Sequence, residues 1–198
     1  MTGIRDSGFG IRDARLHQGH DPESGKRRGL APGVLVLCLG NDILRDDGVA
    51  WVIADQLEAV LRESRIPNPE SRSFVVKRSA LSGFYLLDEL TGWERVLVVD
   101  AVRTGQHPPG TVLSFPFEAL GTGEGPSPHA VGLPTVIRLG RQAGVPLPSW
   151  IHIVAIEAED MESFVEGLTP AVGAAVPQAV AVIRSVLAHA PALANAPA

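Results

Sequence analysis

Three places in this chain carry residue types that could hold a metal ion or move a proton: the acidic pair Asp46-Asp47 ahead of Gly48, the lone Asp100, and His129. The pair stands where a helical pattern begins, so one carboxylate can cap free backbone N–H groups while the other faces elsewhere. Asp46 reads as the cap and Asp47 as the acid that faces the sheet edge. Asp100 closes the β-rich run Arg95 to Val99, apolar at its Val-Leu-Val-Val centre, where a carboxylate is unexpected unless it has a partner or a ligand. The plainer alternative is a loop aspartate capping a turn. His129 follows Ser-Pro just before a helical segment, and alone such a histidine is more often a cap or a surface residue. Together, two carboxylates and an imidazole suit a borderline divalent ion such as Ni²⁺ or Zn²⁺. Their meeting depends on the fold that positions them.

Other chemistries lack their residues. Gly40 to Gly48 carries no GxxxxGK[ST] phosphate loop, and no GxGxxG follows the first apolar run. Neither a G-x-S-x-G nucleophile elbow nor an H-E-x-x-H helix occurs. Cys38, the single cysteine, lies inside an apolar run and reads as a buried structural thiol, since a reactive thiolate needs exposure and positive surroundings. One cysteine forms no intrachain disulfide. With a net charge of -5 and interspersed signs, the chain offers no basic surface for a phosphate backbone, and 5% aromatic residues leave few stacking platforms. We therefore expect no nucleic-acid partner. There is no unbroken run of 18 apolar residues, so no membrane span is expected. Arg27-Arg28 before Val34 to Leu39 imitates an export signal, but Asn41, Asp42, Arg45, Asp46 and Asp47 follow at once where a cleavage site belongs.

The elements that must position these residues alternate. Val34 to Leu39 is a short continuous apolar run, the mark of a strand covered on both faces. Val49, Val52, Ile53, Leu57, Val60 and Leu61 recur at helical spacing. Strands are expected at Ser73 to Val76, Arg95 to Val99, Thr111 to Phe115 (an edge strand closed by Pro116) and Trp150 to Ile156. Helices are expected at Gly83 to Leu90, Ala130 to Gln142 and Pro170 to Leu187, the second of these apolar at Val131, Val136, Ile137 and Leu139. Alternation of this kind predicts an α/β fold: a three-layer α/β/α domain with a mostly parallel twisted sheet of about five strands and helices on both faces. Residues 1–32 lack either period and are expected to be a disordered or loosely attached extension, His17 and His20 included; 33–190 form the single domain, and 191–198 a flexible tail. Ligands of such sheets bind beyond the carboxyl ends of the strands, which is where Asn41 to Asp47 and Asp100 fall.

Leu39 to Gly48, LGNDILRDDG, resembles the opening GN-x-(L)-x-x-D-[DE]-G signature of hydrogenase maturation endopeptidases. Val98-Val99-Asp100-Ala101 resembles that family's second acidic motif, Ser127-Pro128-His129 with Gly132-Leu133 its S-P-H-x-x-G-L segment, and Gly167 to Val172 its G-L-[ST]-P-x-V motif. The resemblance implies an endopeptidase that removes a C-terminal extension from the precursor of a nickel–iron hydrogenase large subunit once nickel is inserted. It implies that Asp47, Asp100 and His129 contact the metal and that the nickel is presented by the precursor, with no permanently bound cofactor. A cytoplasmic location follows from the same reading. An unbound carboxylate could act as base, Asp46 being one choice. The chain departs from the family at Arg78-Ser79-Ala80-Leu81, where many members carry D-G-G-T in a segment tied to substrate recognition. Two alternatives stay open on the residues: a nickel-centre binding or assembly-checkpoint protein that does not cleave, and a nucleoside- or phosphate-handling enzyme on a related scaffold.

Overall fold

The computed structural model describes residues 33–63, 74–120 and 132–191. The expected extension at 1–32, the Gly-rich stretch with His129 at 121–131 and the tail from 192 lie outside the described residues.

Five strands form one sheet in the order β2-β1-β3-β5-β4: β1 Val34–Leu39, β2 Phe74–Ser79, β3 Arg95–Val102, β4 Val112–Pro116 and β5 Trp150–Glu157. The first three and β5 run parallel, and β4 lies antiparallel on β5 at the edge. Every residue of β1 and of β3 is buried, as the apolar run of β1 and the apolar centre of β3 require of strands covered on both faces, with Arg95 and Asp100 the charged residues taken in with them. β2 runs three residues beyond the expected end at Val76, through Lys77, Arg78 and Ser79. An edge strand tolerates such residues because one side of its ladder faces water. β3 continues past Asp100 to Val102, so Asp100 lies within the strand rather than after it.

Helices α1 Val49–Glu63 and α4 Pro170–His189 cover one face, α2 Leu86–Leu90 and α3 Leu133–Gln142 the other. Strand alternation divides the core accordingly. Val36, Cys38, Leu97, Val99 and Ile156 pack with α1 and α4, while Leu37, Leu39, Val98, Val102 and Ile153 pack with α2 and α3. The expected three-layer α/β/α architecture is the one observed. Each large side chain fully buried this way contributes about 1.5–3 kcal/mol.

Two helix stripes differ from expectation. On α1 the inward face runs Val49, Ala50, Ile53, Ala54 and Leu57, and Val52 points outward. Small alanines let the helix sit close to the sheet, which a hydrophobicity pattern weighted to large residues overlooks. On α3, Gly140 rather than Leu139 takes the inner position. A Cβ at Gly140 would stand 2.8 Å from the Leu87 and Leu147 side chains.

α4 is long and apolar enough to cross a membrane by length and composition, although the sequence has no unbroken apolar run of that length. Packing assigns it otherwise: Val172, Val176, Ala179, Val180, Ile183 and Leu187 are buried in the core beside α1. Pro177 sits on the exposed side, where the Gly173 carbonyl left without its helical donor can turn to water.

Cys38 is fully buried, and burial pushes its thiol up to about 12, with Arg78 lowering it slightly and Glu58 raising it. Its folded-state value is thus above the unfolded one of about 9. The neutral thiol therefore contributes its full stability below about pH 9, and that contribution is lost as pH rises toward 12. We expect no reaction with a thiol reagent at pH 8 until the protein unfolds, and stability falling from pH 9 upward more steeply than in Cys38→Ala. Stoichiometric labelling of the native protein within minutes would contradict this burial.

Candidate active site at the carboxyl edge of the sheet

β1 delivers the chain to Gly40, whose backbone φ is +153° and whose N–H donates to the Ser79 carbonyl at 3.1 Å. A Cβ here would lie 2.1 Å from the Asp47 carbonyl oxygen, so only glycine lets the strand end meet the next turn. Asn41 then bends the chain: its carbonyl accepts from Leu44 N–H at 3.1 Å and its side-chain oxygen from Ile43 N–H at 3.3 Å. The 3-10 turn Arg45–Gly48 follows and packs against β3. Gly40 and Asn41 therefore bring the acidic pair to the strand that carries Asp100.

The two acids of the pair have separate roles, but Asp46 is not the expected helix cap. The cap position is Leu44, with no side-chain hydrogen bond, and the Asp46 carboxylate is fully buried. Its Oδ2 accepts from the backbone N–H groups of Glu159 and Asp160, both at 2.9 Å, and from the Thr169 hydroxyl at 3.0 Å. Its Oδ1 accepts from Thr169 N–H at 2.8 Å. Asp46 thus ties the loop after β5 and the start of α4 to the turn beside it. Charge-assisted bonds of this kind are the strong ones. With both oxygens so engaged, Asp46 is a poor choice of base.

Asp47 and Asp100 are 2% and 1% exposed, so both lie below the surface of this edge. Asp100 pairs with Ala155 in the ladder and shares strand parity with Val98 and Val102, so it stands on the face covered by α2 and α3. α3 leads back to the amino end of β5, which puts its first turn toward the carboxyl edge. His129 precedes that turn and lies outside the described residues. Among the described residues no group of three or more His, Cys, Asp or Glu is placed to hold a metal ion.

Two further acids shape this edge and were missed in the sequence. Glu157 is 1% exposed at the end of β5. Its Oε1 accepts from Thr104 and Gly105 N–H, each at 2.8 Å, and its Oε2 from the Thr104 hydroxyl at 2.7 Å, fixing the loop after β3. The signal was there: an acid closing an apolar strand, as at Asp100. Asp160 accepts from Ser163 and Glu162 N–H at 3.0 and 3.1 Å. The Ser163 side chain and backbone, then the Glu162 backbone, hold its carboxyl down to about 2, with Arg45 adding to the effect. Beside the turn a cleft of about 350 Å³ is lined by residues that include Arg45, Trp51, Asp55 and Arg78. Arg78 is tied to α1 through Asp55 at 2.5 Å and Glu58 at 2.9 Å.

Known proteins share this fold. A family model described as hydrogenase maturation protease matches residues 80–186, a stretch that includes Asp100 and His129. The chain is 29% identical over 157 residues to the hydrogenase 2 maturation protease of Escherichia coli (strain K12), covering 78% of this chain and 90% of that one. Among solved structures, the hydrogenase maturating endopeptidase HybD from Escherichia coli superposes with a TM-score of 0.62 at 26% identity, over 79% of this chain and 92% of that chain. A solution structure of an endopeptidase from Escherichia coli gives 0.64 at 25% identity, over 81% and 94%. An α/β sheet with acids gathered at its carboxyl edge is here the frame of a peptidase. The chain belongs to the hydrogenase maturation protease family.

Proposed function

We propose that this protein removes the C-terminal extension of a nickel–iron hydrogenase large-subunit precursor after nickel insertion, with Asp47, Asp100 and His129 engaging the nickel that the precursor carries. One observation carries the reading: two nearly fully buried carboxylates, Asp47 and Asp100, sit on elements that pack together at the edge where such folds act, in a chain of this family. Two anionic oxygen donors and an imidazole suit a divalent ion of borderline softness. The ion belongs to the substrate, so the protein's part is to orient it and the peptide bond beside it. A metal so placed can polarise a carbonyl and lower the pKa of bound water. The reading includes a cytoplasmic location, in keeping with a single buried cysteine outside any disulfide.

The test is processing of nickel-loaded and nickel-free precursor, read as a C-terminal fragment by mass spectrometry. We expect cleavage of the loaded form alone. Asp47→Asn, Asp100→Asn and His129→Ala should each lower it by about 100-fold or more, because the remaining pair cannot fix the ion's geometry. Asn keeps the shape of the buried acids, and melts of each variant show whether the fold survives. Full activity in the His129 variant would remove it from the site, and equal cleavage of nickel-free precursor would remove the metal from recognition.

A further inference from the structure

We propose that Ile43, Leu81, Phe84, Tyr85, Phe164 and Val165 form one docking surface for the folded body of the protein substrate, next to the acids that engage its nickel. The proposal rests on the proteolytic reading above and extends it. Among the described residues the exposed large hydrophobics are these six together with Val52 and Val75. The six follow the ends of β1, β2 and β5, three parallel strands that deliver the chain to the same edge as Asp47 and Asp100.

Hydrogen bonds stitch the three loops together. Ser79 accepts from Gly40 N–H at 3.1 Å through its carbonyl and from Leu81 N–H at 3.2 Å through its hydroxyl. Ser163, beside Phe164, accepts from Arg45 N–H at 3.2 Å. Ile43 lies between Gly40 and Arg45, so it leads directly into the acidic turn.

Leaving these side chains in water is costly. Phe164 is 79% and Tyr85 70% exposed, and each square ångström of apolar surface removed from water is worth about 25 cal/mol. The chain's only tyrosine and two of its six phenylalanines gather here. Clustered exposed aromatics mark protein contacts, and they carry much of the energy where they are buried on binding. A small molecule would need a concave pocket, which loop tips do not supply. A second copy of the chain seated here would cover the approach to Asp47 and Asp100, so the substrate protein is the occupant that the placement fits.

The experiment uses the full chain, Phe164→Asp, Tyr85→Asp, and Val75→Asp as a control on the far part of β2. The probe is the host's nickel-loaded large-subunit precursor, with binding and cleavage measured separately and the oligomeric state followed by sedimentation. We expect the two aromatic variants to bind the precursor about tenfold or more weaker, raising KM with kcat unchanged, and the control to match wild type. Because the substituted side chains are exposed, melting temperatures should hold, and a variant that fails to fold is replaced by Ile43→Asp. Wild-type binding in both aromatic variants would overturn the proposal. So would a wild-type dimer that the variants dissociate. If wild type binds without cleaving and the variants bind weakly, the surface stands and the proteolytic reading falls. If wild type neither binds nor cleaves, both fall.

Discussion

Replacing Asp46 with Asn is expected to destabilise the protein by about 2–4 kcal/mol and to abolish processing, although the substitution changes one atom. At a helix cap Asn would serve about as well as Asp. Here both carboxylate oxygens accept hydrogen bonds, from three backbone N–H groups and one hydroxyl. An amide can present only one acceptor atom, and its NH₂ then points at a donor. If the oxygen keeps the position of Oδ2, the NH₂ faces Thr169 N–H; if it keeps that of Oδ1, the NH₂ faces Glu159 and Asp160. Either way a buried donor is left unsatisfied. Thr169→Val, which removes only the hydroxyl, should be milder, at about 1 kcal/mol. Denaturant unfolding of the three proteins decides it, and an Asp46→Asn midpoint equal to wild type would refute the bonding described.

The second large effect is expected at Gly40→Ala. A Cβ at 2.1 Å from the Asp47 carbonyl oxygen cannot be accommodated unless β1 or the acidic turn moves. The φ of +153° adds strain for any L-residue. We expect a loss on the order of 3–5 kcal/mol, with activity lost even where the protein still folds, because Asp47 is displaced. Gly105→Ala is the matched control. Gly105 also has positive φ, +67°, but no atom lies within 4 Å of its added Cβ. Strain alone should then cost about 1–2 kcal/mol. Thermal melts and cleavage assays on the pair separate the close approach from the backbone preference. Similar losses at the two positions would show that contact with Asp47 is not what excludes a side chain from Gly40.

Much of this fold was legible because burial on both faces writes itself as an unbroken apolar run. β1 was found that way and β3 by its Val-Leu-Val-Val centre, and the alternation of strands with helices implied the parallel sheet. β2 was found short, since an edge strand can continue through Lys77 and Arg78 without leaving a mark of its own. Asp46 was misread for a different reason. An acid at a helix start looks the same in sequence whether it caps that helix or reaches partners more than 110 residues away. Gly40 could be seen as part of a motif, yet only geometry says what the glycine avoids. The depth of Asp47 was equally hidden, because acids at the start of a helix are usually solvated.

The Asp46 bonds carry a consequence for variation among related chains. They fix the segment after β5 at its two ends, Glu159-Asp160 and Thr169, and within it Asp160 braces Glu162 and Ser163. What projects between those ends, Phe164 and Val165 included, behaves as a cassette: its contents can change while its attachment points stay put. A lineage could retune which protein it meets by rewriting residues 164–166, leaving the acids below undisturbed. Transplanting that short stretch between two such proteins is then a sounder design than exchanging the whole loop.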